Sequence, residues 1–199
     1  MSIKIIDNFL PKKEHLHWQH LLTHSDFQWY LSGEKNTVQQ TQARKKRKEH
    51  KNINEYIQFT HMFYFKDNKV NKINSNYFPL IENLCKHFIK KQKLKELHIL
   101  RAKANLQPRI QNAKKHEHNT PHVDFLYDHM VLLYYVNNSD GDTHFFKGKK
   151  IIKSVSPKAN RLVVFDGNLL HTGSHPIKSP ASGIIFQFLE LYVLYSFIA

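Results

Sequence analysis

The sequence predicts a mainly β domain with flanking helices, which places it in the α+β class. Short apolar segments rich in β-branched and aromatic residues fill the second half of the chain, and Gly, Pro and Asn separate them. This pattern is typical of an antiparallel sandwich or barrel. A chain of 199 residues that is 41% hydrophobic and 13% aromatic can fill one such core. We therefore predict a single domain over residues 1–199, with a helical and strand lead-in (1–96) and a β core (97–199).

Two helices are predicted in the lead-in. Pro11 suits the first turn of a helix, and the apolar side of this helix consists of Leu16, Trp18, Leu21 and Leu22. The helix also contains His15, His17, His20 and His24, which are predicted to lie on the surface. His20 and His24 are four residues apart, so they could instead share a metal ion. A second helix is predicted from about Tyr77 to Lys93, after a polar cap region. Both helices are expected to cover the larger sheet of the β core.

The strands of the β core follow in order. Leu97–Leu106 is the first, and the apolar run Met130–Val136 is a buried strand that ends in the turn Asn137–Asp142. Three further strand segments are Thr143–Phe146, Ile151–Val155 and Ala159–Gly167. The apolar segment Ile184–Ala199 is predicted to form two paired strands that close the barrel, because Gln187 and Glu190 interrupt it and it is too short for a membrane span.

The most informative motif is His122-Val123-Asp124, which a third histidine, His171, follows much later in the chain. In a strand, side chains at i and i+2 project from the same face, so His122 and Asp124 are placed to bind one metal ion together. A third ligand from a distant strand would close one face of an octahedron and leave three positions open. Two imidazoles and one carboxylate are the ligand set of non-haem Fe(II) oxygenases.

Five short elements around this motif support a family resemblance, and they occur in order along the chain: His122-Val123-Asp124, Tyr134-Tyr135-Val136-Asn137, Asp140-Gly141-Asp142-Thr143, Asn160 to Asp166 and His171-Thr172-Gly173. With them, Leu100 to Phe188 resembles the double-stranded β-helix core (jelly-roll, cupin-like) of the 2-oxoglutarate and Fe(II)-dependent dioxygenases, in their prolyl-4-hydroxylase-like branch. The resemblance implies Fe(II), 2-oxoglutarate and O₂, with ascorbate as a further candidate cofactor. It also implies hydroxylation of a C–H bond coupled to formation of succinate and CO₂, with a prolyl residue of a protein or peptide as the leading substrate.

The resemblance assigns contacts to 2-oxoglutarate as well. Tyr135 matches a tyrosine that hydrogen-bonds the distal carboxylate of the co-substrate, and Asn105 resembles a polar residue that approaches it from the preceding strand. The family's arginine, nine to twelve residues after the distal histidine, is absent here, because that window holds Pro180 to Gly183. A buried carboxylate requires a cationic partner. Lys178 is the first candidate, followed by Arg161, and Arg101 or Lys103 could also reach inward from the Asn105 strand.

The chain is strongly basic, with 30 Lys plus Arg against 16 Asp plus Glu and a net charge of +14. The run Arg44 to Lys51 concentrates part of this charge in a predicted loop. Such a surplus attracts nucleic acid or an acidic surface, although basic runs are also common as solvated loops. A nucleic acid is therefore the second candidate substrate or partner.

Cellular context is predicted from cysteine and hydropathy. The one cysteine, Cys85, excludes an intramolecular disulfide and suits a reducing compartment, and its helical apolar neighbours indicate that it fills the core. The N-terminus shows no signal peptide. We predict a cytoplasmic protein that does not span a membrane.

Three alternatives stay open. His116, His118 and His122 would suit zinc, although no cysteine accompanies them. A catalytically silent jelly-roll that binds a ligand or nucleic acid, or a metal enzyme that works without 2-oxoglutarate, would tolerate the absent arginine. His129 and His144 are predicted to be structural, with a supporting position near the metal as the alternative.

Overall fold

The computed structural model describes residues 3–31, 57–66, 71–110, 114, 117–125, 127–178 and 186–197. The described helices are α1 (Lys12–Thr23) and α2 (Phe78–Gln92). The described strands are β1 (Lys4–Ile6), β2 (Tyr30–Leu31), β3 (Phe59–Lys66), β4 (Asn71–Ile73), β5 (Leu94–Gln107), β6 (Met130–Tyr135), β7 (Thr143–Lys147), β8 (Lys150–Val155), β9 (Arg161–Asp166), β10 (His171–Gly173) and β11 (Phe186–Phe197). The predicted mainly β, α+β class is confirmed.

The strands form two antiparallel sheets. The larger sheet has eight strands in the order β1-β9-β6-β11-β5-β3-β2, with β4 paired to β3, and the smaller sheet has the order β10-β7-β8. The lead-in and the β core share the larger sheet, because β1 pairs with β9 and β3 pairs with β5. Chain segments far apart in sequence are thus joined by backbone hydrogen bonds.

An outer core fills the space between the larger sheet and the two helices. The sheet contributes small side chains on β5, among them Ala102 and Ala104, and both are fully buried. The helices pack large apolar side chains on them: Trp18 and Leu22 from α1, and Ile81, Leu84, Cys85 and Phe88 from α2. Burial of these side chains from water is the main stabilising contribution of the helices. The predictions that both helices cover the larger sheet and that Cys85 fills the core are confirmed.

An inner core lies between the two sheets. Val131, Leu133 and Tyr135 of β6 point into it, as do Val163 and Phe165 of β9. The smaller sheet contributes Phe145 and Val155 from its side. Because strand side chains alternate between faces, β6 places Leu132 and Tyr134 in the outer core and their neighbours in the inner core.

Two local predictions are wrong. Leu16 is 49% exposed, whereas His15 is buried. Residues 15, 18 and 22 share the helix face that meets the sheet, and His15 Nδ1 hydrogen-bonds Tyr134 Oη at 2.7 Å. The C-terminal segment forms one strand, β11, instead of two paired strands. It lies between β5 and β6 and pairs with both, so the chain does not turn back on itself there.

Two further predictions concern the surface. Among the described residues, no helix combines the length and apolar character needed to cross a bilayer. The basic run Arg44 to Lys51 lies outside the described residues.

Candidate metal centre

His122 and His171 are brought together by the backbone. The two residues form an isolated antiparallel bridge, in which His122 N donates to His171 O at 2.9 Å and His171 N donates to His122 O at 3.0 Å. Their ring centroids lie 5.1 Å apart. His171 opens β10 of the smaller sheet, so the bridge attaches the His-Val-Asp segment to that sheet. Chain segments separated by several strands thus present two imidazoles to one point.

The ring orientation of both histidines is set by backbone carbonyl groups. His122 Nδ1 lies 2.9 Å from Thr120 O, and His171 Nδ1 lies 2.9 Å from Leu169 O. A carbonyl oxygen only accepts, so each Nδ1 carries the proton and donates it. Nε2 of each ring then faces the centre and is the atom that would bind a metal ion. Histidine ligands commonly have this arrangement, since the donated Nδ1 proton fixes ring and tautomer.

Asp124 completes the group. Its carboxylate and the two imidazoles offer ligand atoms that all lie within 4.8 Å of one another. Asp124 Oδ2 lies 3.3 Å from His171 Nε2. No other group of three such side chains occurs among the residues that the structure describes. The donor set of two Nε2 atoms and one carboxylate fits a divalent transition metal with three coordination positions left open.

Electrostatics favours an ionised carboxylate at this position. Burial opposes ionisation, but the hydrogen bond from His171 and the charges of the two histidines and Arg101 hold the pKa of Asp124 well below its usual range. Burial also lowers the pKa of His122. Metal ligation requires neutral imidazole and ionised carboxylate, and the lowered pKa values of His122 and Asp124 favour both forms.

Apolar rings surround His171. Phe165 contacts it edge-on with ring centroids 4.8 Å apart, and Phe145 lies at 6.4 Å on the smaller sheet. All three side chains are buried. The inner core thus supplies the dry, low-dielectric surroundings that strengthen metal–ligand and charge–charge interactions.

The turn at Asp140-Gly141-Asp142 holds the segment that follows His171. The Asp140 carboxylate accepts hydrogen bonds from the backbone N–H groups of Ile177 and Lys178 at 3.2 and 3.0 Å. Gly141 is required for close approach, because a Cβ there would lie 2.5 Å from the carbonyl oxygen of Ser174. The turn therefore fixes β10 from its far end.

Tyr135 and Asn105 lie in one row of the larger sheet. Both pair with Phe188 of β11, from opposite sides of that strand. Both are fully buried. Tyr135 Oη donates to Thr143 Oγ1 at 2.8 Å, while Asn105 Oδ1 accepts from Gln58 Nε2 at 2.7 Å and its Nδ2 has no hydrogen-bond partner among the described residues. An unsatisfied buried donor on the inner face is a feature of a ligand site.

The two cations that the sequence analysis ranked first have different surroundings, and Arg161 lies opposite Tyr135 in the pairing of β6 with β9. The Lys178 side chain is exposed. Arg161 forms a two-point ion pair with Asp7, with Nε to Oδ1 at 2.7 Å and Nη2 to Oδ2 at 3.1 Å. Arg161 thereby ties the start of β9 to the segment after β1.

Arg101 and Lys103 lie on the face of β5 that is turned toward the candidate metal centre. They alternate along β5 with Ala102 and Ala104, which face the outer core. Arg101 Nη2 donates to Asp124 Oδ1 at 2.7 Å, and the charge of Lys103 contributes to the lowered pKa of His122. The sequence analysis named both residues as able to reach inward but missed the pairing of Arg101 with Asp124, a candidate metal ligand. Strict alternation of polar residues with alanine was the available signal.

Gln107, on the same face of β5, was not predicted at all. It is 2% exposed, and its Oε1 has no hydrogen-bond partner among the described residues. Its amide lies beside Gly173 of β10, where an added Cβ would come 3.4 Å from Nε2.

The remaining histidines have other roles. His116 lies outside the described residues, and His118 Nδ1 donates to Asn119 O at 2.8 Å. His144 lies between two serine hydroxyls, Ser154 Oγ and Ser174 Oγ, at 2.8 and 2.7 Å. It is a buried structural histidine that links β7 to β8 and to the segment after β10.

The chain is similar to known proteins in structure and not detectably in sequence. No protein-family model matches the chain, and no curated protein matches its sequence. An oxidoreductase of the 2OG-Fe(II) oxygenase family from Burkholderia pseudomallei has a TM-score of 0.65 at 9% identity and covers 98% of this chain and 87% of its own. The chain has the double-stranded β-helix fold of the 2-oxoglutarate and Fe(II)-dependent oxygenases. The predicted core architecture is confirmed.

Two prolyl hydroxylases have similar structures. A prolyl-4-hydroxylase from Pseudomonas putida has a TM-score of 0.54 at 14% identity, with 96% of this chain and 91% of that chain covered. A prolyl hydroxylase from Trichoplax adhaerens, in complex with a peptide from hypoxia inducible factor, has a TM-score of 0.56 at 13% identity, with coverage of 96% and 82%. The resemblance noted in the sequence thus extends over nearly the whole chain as a likeness in fold.

Proposed function

We propose that the protein is a 2-oxoglutarate and Fe(II)-dependent dioxygenase that hydroxylates a C–H bond. The observation that carries this proposal is the group of His122 Nε2, His171 Nε2 and the Asp124 carboxylate, with ligand atoms within 4.8 Å inside a double-stranded β-helix; Asp124 and His171 are buried and His122 is half-buried. When bound, iron and the 2-oxo acid supply O₂ activation, so that decarboxylation to succinate and CO₂ is coupled to oxidation of the substrate. Ascorbate is a candidate reductant for enzyme that loses its ferrous state.

The residues of the chain orient and shield this chemistry. The carbonyl groups of Thr120 and Leu169 hold the two rings with Nε2 toward the metal. Phe145 and Phe165 exclude water from the side of His171. The protein's contribution to cofactor chemistry is binding, orientation and electrostatics.

The row that contains Tyr135 and Asn105 is the proposed site for the distal carboxylate of 2-oxoglutarate. Asn105 Nδ2 is a donor on a buried side chain, and Tyr135 Oη would redirect its single proton from Thr143 Oγ1 to the carboxylate. Their common pairing with Phe188 supports this assignment, since it puts them in the same row of the sheet.

Lys103 is the cation we propose for that carboxylate. It lies on the face of β5 that carries Asn105, and its charge acts on His122. Lys178 and Arg161 are the alternatives drawn from the sequence, but the first has an exposed side chain and the second is paired with Asp7. A carboxylate in a dry pocket needs a cation within direct reach.

Anaerobic titration of the Fe(II)-loaded protein with 2-oxoglutarate tests the proposed function. We expect the weak visible charge-transfer band of a 2-oxo acid chelated to ferrous iron, and we expect His171→Ala to lose it. Lys103→Met should raise the 2-oxoglutarate concentration for half-saturation about tenfold or more, as loss of a charged hydrogen bond predicts. Lys149→Met, at an exposed turn between β7 and β8, is the matched control.

The other outcomes have defined meanings. If Lys178→Met raises the 2-oxoglutarate concentration for half-saturation more than Lys103→Met does, the cation that binds the distal carboxylate is Lys178, in the segment after β10. Absence of the band at saturating 2-oxoglutarate would favour a silent binding module or a metal enzyme that works without this co-substrate.

A prolyl residue of a protein or peptide is the proposed substrate. Its support is the likeness to the two prolyl hydroxylases, one of them in complex with a peptide. Fold does not determine substrate, so the test is turnover. Peptides with and without proline, otherwise identical, should differ in stimulated succinate release, and equal release would remove the prolyl assignment.

Nucleic acid is the second proposed substrate or partner. The net charge of +14 and the basic run Arg44 to Lys51 support it. Binding of a fluorescent oligonucleotide should weaken steeply with added salt if phosphate contacts carry it. Salt-independent or undetectable binding would leave the peptide as the remaining candidate.

A further inference from the structure

Arg101 contacts both a metal ligand and the aromatic side chain next to it. Its Nη2 donates to Asp124 Oδ1 at 2.7 Å, and its Cζ lies 4.8 Å from the centroid of the Phe125 ring. The Arg101 side chain is 13% exposed and that of Asp124 is 6% exposed, so this ion pair is shielded from water. One guanidinium therefore ties β5 to the His-Val-Asp segment in two ways.

The two oxygens of the Asp124 carboxylate have different neighbours. Oδ1 accepts from Arg101, whereas Oδ2 lies 3.3 Å from His171 Nε2. Since His171 Nε2 is also the atom turned toward the centre, Oδ2 is the carboxylate oxygen on the metal side. A carboxylate with both oxygens directed to the metal would bind as a bidentate ligand and would occupy one more coordination position.

We propose that Arg101 is a positioning residue that directs Oδ2 of Asp124 to the metal and keeps Oδ1 away from it. Asp124 then binds through one oxygen, and three positions remain for a chelating co-substrate and O₂. This inference rests on the proposed function, because it assumes a metal ion at the triad formed by His122, Asp124 and His171. Mutation of residues that orient metal ligands commonly lowers metal affinity by about 10- to 100-fold, and we expect an effect of this order here.

The position requires arginine rather than any cation. A guanidinium is planar, so it can stack on the Phe125 ring while its edge donates to the carboxylate. Phe125 is held in turn by Tyr127, whose ring stacks on it with centroids 4.9 Å apart and an interplanar angle of 19°. A lysine would keep the charge but lose the planar contact and the fixed direction of the donor.

Arg101 also sets the charge balance of the centre. It compensates the charge of Asp124, so the divalent metal and Lys103 leave the pocket positive toward an incoming ligand. A dianionic 2-oxo acid matches this balance, whereas a neutral chelator does not.

Titration of the metal-free full-length protein with Co(II) tests the proposal without turnover. Bound Co(II) has visible absorption bands that depend on the number and arrangement of its ligands. Affinity and spectrum are compared for the wild type, Arg101→Met, Arg101→Lys and His171→Ala. The matched control is Arg109→Met, because Arg109 is exposed and donates to the carbonyl of Ile177.

We expect Arg101→Met to weaken Co(II) binding about 10- to 100-fold and to change the absorption spectrum. Arg101→Lys should give an intermediate affinity, and Arg109→Met should match the wild type. If Arg101→Met does not fold, the affinity and spectrum of Arg101→Lys decide. Unchanged Co(II) affinity and spectrum in Arg101→Lys and Arg101→Met would overturn the positioning role of Arg101. The assignment of the three metal ligands would not be affected by that result. No Co(II) binding by the wild type, or equal binding by His171→Ala, would overturn the metal centre itself and the positioning role with it.

Discussion

Tyr134 and Tyr135 are adjacent, identical and fully buried, yet they belong to different regions of the molecule. Tyr134 faces the outer core, where its hydroxyl joins His15 and Asn160 in a network that ends at the backbone of Leu10. Tyr135 faces the inner core and donates to Thr143 on the smaller sheet. The outer face of the sheet therefore packs against the lead-in, and the inner face contains the polar groups of the proposed co-substrate site.

Strand β5 shows the same division. Ala102 and Ala104 pack under the helices, while Arg101, Lys103, Asn105 and Gln107 lie on the face toward the metal centre. A slip of one residue in register would exchange the two sets. If the proposed site is correct, one face of β5 contributes to stability and the other to binding, and mutations on the two faces should have separable effects.

The largest expected effect is on the outer face, at Asn160. Its side chain accepts from Leu10 N and donates to Leu10 O, both at 2.9 Å, and its φ of +61° is a conformation that asparagine tolerates. Asn160→Ala should lower the free energy of unfolding by about 2 to 4 kcal/mol, because buried backbone groups lose their partners. Chemical denaturation measures this loss. Co(II) affinity of the folded protein should stay unchanged, and a parallel loss of metal binding would mean that the two faces are coupled.

The inner face gives the next effect, at Tyr135. Tyr135→Phe should change stability by about 1 kcal/mol, since one neutral hydrogen bond is lost, but should weaken 2-oxoglutarate binding about tenfold. The charge-transfer titration measures the affinity, and Tyr134→Phe is the matched variant on the opposite face. Equal 2-oxoglutarate affinities in the two variants would remove Tyr135 from the proposed site.

A smaller effect is expected from the Asp7–Arg161 pair at the edge of the sheet. The hydrogen bond from Arg161 lowers the pKa of Asp7 to about 2 from 3.8. Because the folded-state pKa is depressed, the stabilisation is present above pH 3.8 and is lost as the pH falls toward 2. Asp7 is partly exposed, so we expect a contribution below about 1 kcal/mol. Urea midpoints of wild type and Asp7→Asn should differ at neutral pH and converge in acid, and a constant difference would contradict the assignment.

The smallest effect concerns the thiol in the outer core. Burial, with a contribution from the charge of Glu82, raises the pKa of Cys85 to about 12. The thiolate is the reactive form, so a thiol reagent at neutral pH should label the protein only after denaturation. Rapid labelling of the native protein would show that α2 opens readily from the sheet.

The β-rich class and the helices could be predicted because both depend on local periodicity. The double-stranded β-helix was predicted from the family resemblance, and the candidate metal ligands were predicted from their residue types. Apolar helical spacing predicted α2 to within one residue at each end. His122 and Asp124 do lie close together, but the segment that carries them is one bridge residue followed by a bend and not a regular strand. The exposed side of α1 was predicted incorrectly, because apolar character alone ranked Leu16 above His15. His15 is buried through a hydrogen bond to Tyr134, a residue far away in sequence.

The sequence by itself determined the two-sheet β class, the helices that cover it and the three candidate metal ligands, since each follows from residue type and spacing along the chain. Only the tertiary structure decided which cations face the centre. Arg161 forms an ion pair with Asp7, and Arg101 forms one with Asp124. In both pairs the two residues are far apart in the sequence. The physical reason is that charge pairing depends on distance in space and on exclusion of water, and both arise only when the sheets pack.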